Sequence, residues 1–334
     1  MSKENMESKH AVHPLSASLL LLGILAFNTF IPAQTANDKS EWKPVEDAMG
    51  RSGKVQPGEV LKFGMPRKDL QVTVNGTQVK PGLALGSWAA FKKIANETML
   101  MGDLVLTTDE VEPVMLKLQQ EGIEQTALHN HLLGESPRIM YMHIAGHGDA
   151  VKLARALHDA LALTKTPAGS GGTASPEPPK LDIDTGQIDQ ALGQKGKNDN
   201  GIYKFEVPRA EKITDNDMEV PASMGLTSTI NFQPTGSGKA AITGDFVLIA
   251  SEVNPVIRAL RENGIAMTAL HSHMLTENPR LFFMHYWANA DAVKLAHGLK
   301  AALDQNQFRK DIRTIKDMGG PVRSGNLGRA AKPL

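Results

Sequence analysis

"TALHNHLLGESPRIMYMHIAGHGDAVKLA" (residues 126–154) and "TALHSHMLTENPRLFFMHYWANADAVKLA" (residues 268–296) are two versions of one segment. Sliding the chain by 142 residues aligns Gly102–Leu157 with Gly244–Leu299 without a gap, with 29 identities in 56 positions. The same shift sets Pro66-Arg67 on Pro208-Arg209. The repeat therefore spans residues 45–163 and 187–305. Two copies of this length indicate a duplicated domain, because solenoid arrays stack three or more shorter repeats.

Periodicity gives the elements of each copy. Residues 70–79, "LQVTVNGTQV", alternate around Asn75-Gly76, a strong hairpin signal. Residues 85–95 and 99–106 read as further strands. Residues 109–121 place Val111, Val114, Met115 and Leu118 at helical spacing, with Asp109 as N-cap and Gly122 beyond the C-terminus. Residues 123–133 and 138–146 read as strands joined by a Gly-Glu-Ser-Pro turn, and 148–163 as an amphipathic helix with Asp149 near its start. The expected order is β-β-β-β-α-β-β-α. That predicts an α+β fold in which each copy is a mainly antiparallel sheet with two helices on one face. Two such copies can pair their sheets about a pseudo-twofold axis.

The rest of the chain frames these copies. Residues 1–36 read as a signal peptide: Lys3 and Lys9 precede the apolar run from Leu15 to Pro32, and small residues follow. Cleavage after Ala33 or Ala36 would leave an exported protein, periplasmic or secreted, with no membrane segment. Residues 164–186, with "KTPAGSGGTASPEPPK" at their centre, read as a flexible linker. Residues 306–334 read as a basic disordered tail. The 36 basic and 36 acidic residues balance, which speaks against nucleic acid as a partner. There are no cysteines, so disulfides, thiolate nucleophiles, cysteine metal ligands and lipidation of an exported cysteine are all excluded.

The chemistry concentrates in the hairpin of each copy. Strand side chains alternate, so His129 and His131 share a face. With the turn centred on residue 136, His143 stands opposite His129, and cross-strand Cβ atoms are roughly 5 Å apart. The second copy repeats the arithmetic with His271, His273 and His285. Six of the nine histidines beyond the leader occupy these matched positions. Three imidazoles on one rigid hairpin suit a divalent transition metal such as zinc, copper, nickel or iron. Three protein ligands with an open position is the pattern of catalytic zinc. Glu135 and Glu277, in the turns, are candidates for a fourth ligand or a general base. Asp103 and Asp245 are candidates to orient a histidine through its second nitrogen. Arg138 and Arg280 are candidates to bind a carboxylate or phosphate, or to pair with the turn glutamate.

The repeated "GD-[LF]-VL … TALH-x-H-[LM]-L … E-x-PR … MH … DAVKLA" pattern resembles the LppY/LpqO family, an exported bacterial domain family of unknown function. The resemblance covers both copies and implies export without implying an activity. Some relatives are lipoproteins; this chain departs from them in lacking cysteine. His129-x-His131-x3-Glu135 also matches the core of the first cupin motif. Cupins are all-β, however, and here helices intervene.

Three function classes fit these residues. The first is a metal-binding exported protein whose metal-bound water could attack a small-molecule substrate. The second is a metal-free cell-envelope module that takes a glycan or a peptide carboxylate. The third is a structural protein with a hydrogen-bonded histidine core.

Overall fold

A computed structural model describes residues 38–169 and 177–306 of the chain. The leader, the middle of the linker and all of the tail after Asn306 lie outside the described residues. In the first copy the elements are α1 (Asp38–Met49), β1 (Lys54–Gln56), β2 (Val60–Pro66), β3 (Val72–Val74), β4 (Thr77–Val79), α2 (Pro81–Ala84), β5 (Gly86–Ile94), β6 (Glu97–Thr107), α3 (Thr108–Gln120), β7 (Glu124–His129), β8 (Glu135–Ser136), β9 (Ile139–Gly148) and α4 (Ala150–Leu161). The second copy follows as α5 (Thr185–Leu192), β10 (Lys197–Asp199), β11 (Ile202–Pro208), β12 (Thr214–Asp215), β13 (Met218–Glu219), a 3-10 turn (Ala222–Met224), β14 (Thr227–Gly236), β15 (Lys239–Leu248), α6 (Ala250–Glu262), β16 (Ala266–His271), β17 (Glu277–Asn278), β18 (Phe282–Asp291) and α7 (Ala292–Leu303).

Each copy is a six-stranded antiparallel sheet, in the order β1-β2-β5-β6-β9-β7 and β10-β11-β14-β15-β18-β16. The fold is α+β and duplicated, as the sequence predicts. Two features exceed the expectation. A helix opens each copy (α1, α5), and two strands, β1 and β2 or β10 and β11, precede the small hairpin. β1 and β10 are only three residues long, and neither has a buried residue. The hairpin forms at Asn75-Gly76, where both residues have positive φ, and it joins β8 in a separate three-stranded sheet. The helix α3 starts at Thr108 rather than at Asp109, because Glu110 reaches back to the Thr107 N–H at 2.9 Å. Asp149 caps α4 through the Lys152 N–H at 2.8 Å.

Alternation along the strands sorts the core. In β6 the even positions Leu100, Leu104 and Leu106 pack with Met142 and Ile144 under α1, α3 and α4. Each fully buried side chain of this kind contributes roughly 1.5–3 kcal/mol. The odd positions Met99, Met101 and Val105 turn to the other copy. Met99 and Met101 share a cluster with Ile213, Met224, Val247 and Phe283, and Val105 shares one with Ile202 and Ala241. The two sheets thus meet through their helix-free faces, and the small hairpins of each copy pack into that seam. This burial on both faces explains why β6 reads as an almost unbroken apolar run. The matched arginines are structural. Arg67 is fully buried and donates to the Val105 carbonyl at 2.7 Å and to Glu110 at 2.7 Å, tying β2 to α3. Arg209 repeats this with Val247 and Glu252.

Candidate metal centre

The seam between the sheets is where the histidines meet. His129 opposes Tyr141 across β7 and β9, and His143 opposes Ala127. The expected pairing of His129 with His143 is therefore displaced by two residues, with the turn centred on residue 135. Between the two strands the chain makes an excursion in which β8 pairs with β3, and a bulge between Gln125 and Ala127 shifts the far end of the ladder by one further residue. A shift of two preserves the face, where a shift of one would have reversed it. His129, His143 and their counterparts all face the seam. In the second copy His271 opposes Phe283, by the same displacement.

The two hairpins do not form separate sites. Their six imidazoles interleave as three stacked pairs, each with one ring from each copy. His129 lies over His271 at 3.5 Å between ring centroids, His131 over His285 at 3.6 Å, and His143 over His273 at 3.7 Å. The pair His129/His271 is central, with one pair on either side of it. Outside the histidines, Tyr141 stacks on His131 and Phe283 on His273, both at 3.3 Å. The outer arm of each hairpin is pinned to the opposite copy: Thr126 donates to the His273 carbonyl, and Thr268 to the His131 carbonyl, each at 2.6 Å. These threonines and the stacking rings were not singled out from sequence. The threonines' only signal is their fixed place in the repeated "TALH".

Backbone carbonyls set the ring orientations. His285 Nδ1 lies 2.9 Å from the Gly244 carbonyl, and His143 bonds the Gly102 carbonyl in the same way. A nitrogen facing a carbonyl carries the hydrogen, so Nε2 of both rings is left with a lone pair. The carboxylate of Asp245 is 2.7 Å from the same His285 Nδ1, and Asp103 is 3.8 Å from His131 Nε2. One N–H serves the Gly244 carbonyl with good geometry, so Asp245 Oδ1 has no hydrogen-bond partner among the described residues; neither does Asp103 Oδ1. The glycine before each aspartate is required by packing. A Cβ at Gly244 would stand 1.9 Å from the Thr229 carbonyl oxygen, and one at Gly102 2.8 Å from that of Trp88.

Residues 43–163 and 186–305 each match the family described as Domain of Unknown Function (DUF1259). The chain belongs to this family. It carries the DUF1259 domain twice. No curated protein matches the chain significantly. Among solved structures, a trimeric bacterial microcompartment shell protein, PduB, is similar over 76% of this chain and 92% of that one, at 13% identity and a TM-score of 0.20. A likeness that slight carries no argument about fold or function.

The seam between the two DUF1259 domains is electrically unusual. His143, His273 and His285 are buried, and His129, His131 and His271 half-buried. Burial, with the neighbouring imidazoles adding to it, holds His131, His143, His271 and His273 well below the ordinary histidine range. The Gly102 carbonyl acts in the opposite sense on His143. Burial, and then His285, lowers His129 to about 3. Burial raises Asp103 well above the carboxylate range, and the charge of Asp245 adds to that. Neutral imidazoles are the form that ligates metal. Nine ring nitrogens of the six histidines are buried without a hydrogen-bond partner among the described residues. Native structures leave few such atoms, and each leaves a desolvation cost of about 1–3 kcal/mol uncompensated. Three histidine sets hold one nitrogen per residue within 4.8 Å of each other: His129/His271/His285, His129/His131/His143 and His143/His271/His273.

The remaining candidates lie at the rim. Glu277 is buried and accepts from the Leu281 N–H at 3.0 Å and from Arg280 at 3.1 Å. Glu135 has a buried Oε1 without a partner among the described residues, beside Tyr141 in a small apolar pocket. Arg280 also donates to the Leu275 carbonyl at 3.0 Å, while Arg138 is exposed. Neither glutamate belongs to the histidine sets.

Proposed function

We propose that this protein binds divalent transition-metal ions in the histidine cluster at the seam of its two domains. The observation that carries the reading is the set of nine buried, partnerless ring nitrogens on six histidines. Imidazole nitrogens with no thiolate nearby suit zinc, copper, nickel or iron(II). Nδ1–H bonds from His143 and His285 to carbonyls, and carboxylates beside His131 and His285, are the outer partners that metal-bound histidines ordinarily have. The two aspartate side chains lie beside these histidines, and a bound cation would favour the charged form of Asp103, which burial disfavours in the metal-free protein. Of the turn glutamates, Glu135 is the one with an oxygen left over for a proton, and Glu277 is committed to Leu281 and Arg280. Metal binding is what this donor set supports; a small-molecule substrate for it would enter where His129, His131 and His271 keep partial exposure. We further propose that the protein is exported, on the strength of the leader, and that its family is the LppY/LpqO family whose motifs the repeat resembles.

The test is the metal content of the chain, purified without a metal-binding tag and measured by elemental mass spectrometry after incubation with each metal. Retained metal that is lost in His129→Ala/His271→Ala supports the reading. A metal-free protein under every condition sinks it and returns the seam to a polar site for a glycan or peptide carboxylate. Cell fractionation and N-terminal sequencing of the native product test export.

A further inference from the structure

The three stacked pairs bear on how ligands are divided between ions. The sequence suggests one site per hairpin, with His129, His131 and His143 from one copy and His271, His273 and His285 from the other. The packing is different. Within each copy the outer histidine of the H-x-H arm stacks on the strand histidine of the other copy. His131 lies on His285 at 3.6 Å, and His273 lies on His143 at 3.7 Å. The Thr126 and Thr268 hydroxyls hold both arms in that crossed position through the carbonyls of His273 and His131 themselves.

We propose that the cluster is a two-ion centre with exchanged ligands: one ion is held by His129, His131 and His285, the other by His271, His273 and His143. This rests on the metal-binding reading above and specifies it. In each set every pair of ring centroids lies within 5.6 Å: 4.9, 5.6 and 3.6 Å in the first, 5.0, 5.3 and 3.7 Å in the second. The pseudo-twofold axis exchanges the two sets, and each histidine is used once. The second set already gathers its nitrogens within 4.8 Å; in the first, His129 and His131 gather theirs with His143, and His129 and His285 gather theirs with His271.

Valence supports two ions over one. Six neutral imidazoles offer six lone pairs. A tetrahedral ion accepts four ligands, so a single zinc would leave at least two buried lone pairs empty. No set of more than three described residues converges within 4.8 Å, so six ligands do not meet at one point. Two ions with three histidines each use all six and leave each ion an open position, the arrangement of a site that receives water or a substrate atom. His143 and His285, whose Nδ1 hydrogens are spent on the Gly102 and Gly244 carbonyls, present Nε2 to the opposite copy's ion.

The experiment compares two triple variants of the full chain loaded with zinc. His129→Ala/His131→Ala/His285→Ala removes one exchanged set and should retain one equivalent of zinc, against two in the parent. His129→Ala/His131→Ala/His143→Ala touches both exchanged sets and should retain none. The reverse result, with the second variant keeping one equivalent and the first none, overturns exchange and restores one site per hairpin. A parent with a single equivalent overturns the two-ion centre while leaving metal binding intact. A parent with none sinks metal binding itself. If a triple variant does not fold by circular dichroism, His131→Gln/His285→Gln replaces the first and His131→Gln/His143→Gln the second. The proposal then requires one equivalent lost in the former and both weakened in the latter; equal losses in the two overturn it.

Discussion

Acidifying the metal-free protein should unfold it in a narrow window. Five histidines of the seam, His129, His131, His143, His271 and His273, have folded pKa values held below the ordinary value of about 6.5. The sign follows from linkage. Between pH 6.5 and about 3 the unfolded chain protonates these groups and the folded chain does not. Stability is therefore full above the unfolded pKa and is lost as pH falls toward the folded one. One unit below the unfolded pKa, each such group costs roughly 1.4 kcal/mol, so five acting independently cost roughly 7 kcal/mol at pH 5.5. Domains of this kind are stable by about 5–15 kcal/mol, so most of the margin is spent within that unit. Asp103, with its pKa raised by burial, acts in the opposite sense: it favours the fold below its folded pKa and relaxes part of the cost. One group opposes five. The assay is urea unfolding of chelator-treated full chain, followed by circular dichroism from pH 7.5 to 4.5. Stability should fall steeply between pH 6.5 and 5, and added zinc should move the loss to lower pH, since a ligand of the folded state stabilises it. Equal stability at pH 7 and pH 5 without metal would refute the buried-neutral description of the cluster.

Four further outcomes follow from the geometry. Asp245→Asn removes the carboxylate beside His285 Nδ1 and should weaken zinc affinity by roughly 10–100-fold, read by competition with a chromophoric chelator. Gly244→Ala drives a Cβ onto the Thr229 carbonyl, and should cost about 1–3 kcal/mol or more in chemical denaturation and lower metal occupancy by shifting the carbonyl that orients His285. Glu110→Ala leaves Arg67 buried and short of a partner, and should cost roughly 3–5 kcal/mol in the same assay, with no direct effect on the metal ligands. Thr126→Val with Thr268→Val removes both cross-copy hydrogen bonds, roughly 0.5–1.5 kcal/mol each, and should lower thermal stability and zinc affinity together.

Much of this architecture is legible in the residues. The 142-residue shift reveals the duplication, and alternation locates β5, β6, β7 and β9 to within a few positions. Parity alone puts His129 and His143 on one face, and it does so even though the register in the structure is displaced by two from the expected pairing. The opening helices α1 and α5 escape because α1 carries Pro44 and α5 spans only eight residues, too short for a clear period. The meeting of the two hairpins also escapes. Nothing local in "HNH" records that His131 will stack on His285, 154 positions away, because that contact is made by packing one sheet on the other. Thr126 and Thr268, which hold the crossed arms, read as ordinary strand residues until the second copy is placed against the first.

The most direct test of the shared centre is an anomalous-scattering map from crystals of the untagged protein grown with zinc(II). The account predicts two zinc peaks inside the seam, one among His129, His131 and His285 and one among His143, His271 and His273. A seam without any peak, in crystals that bind zinc only at surface residues, would contradict it.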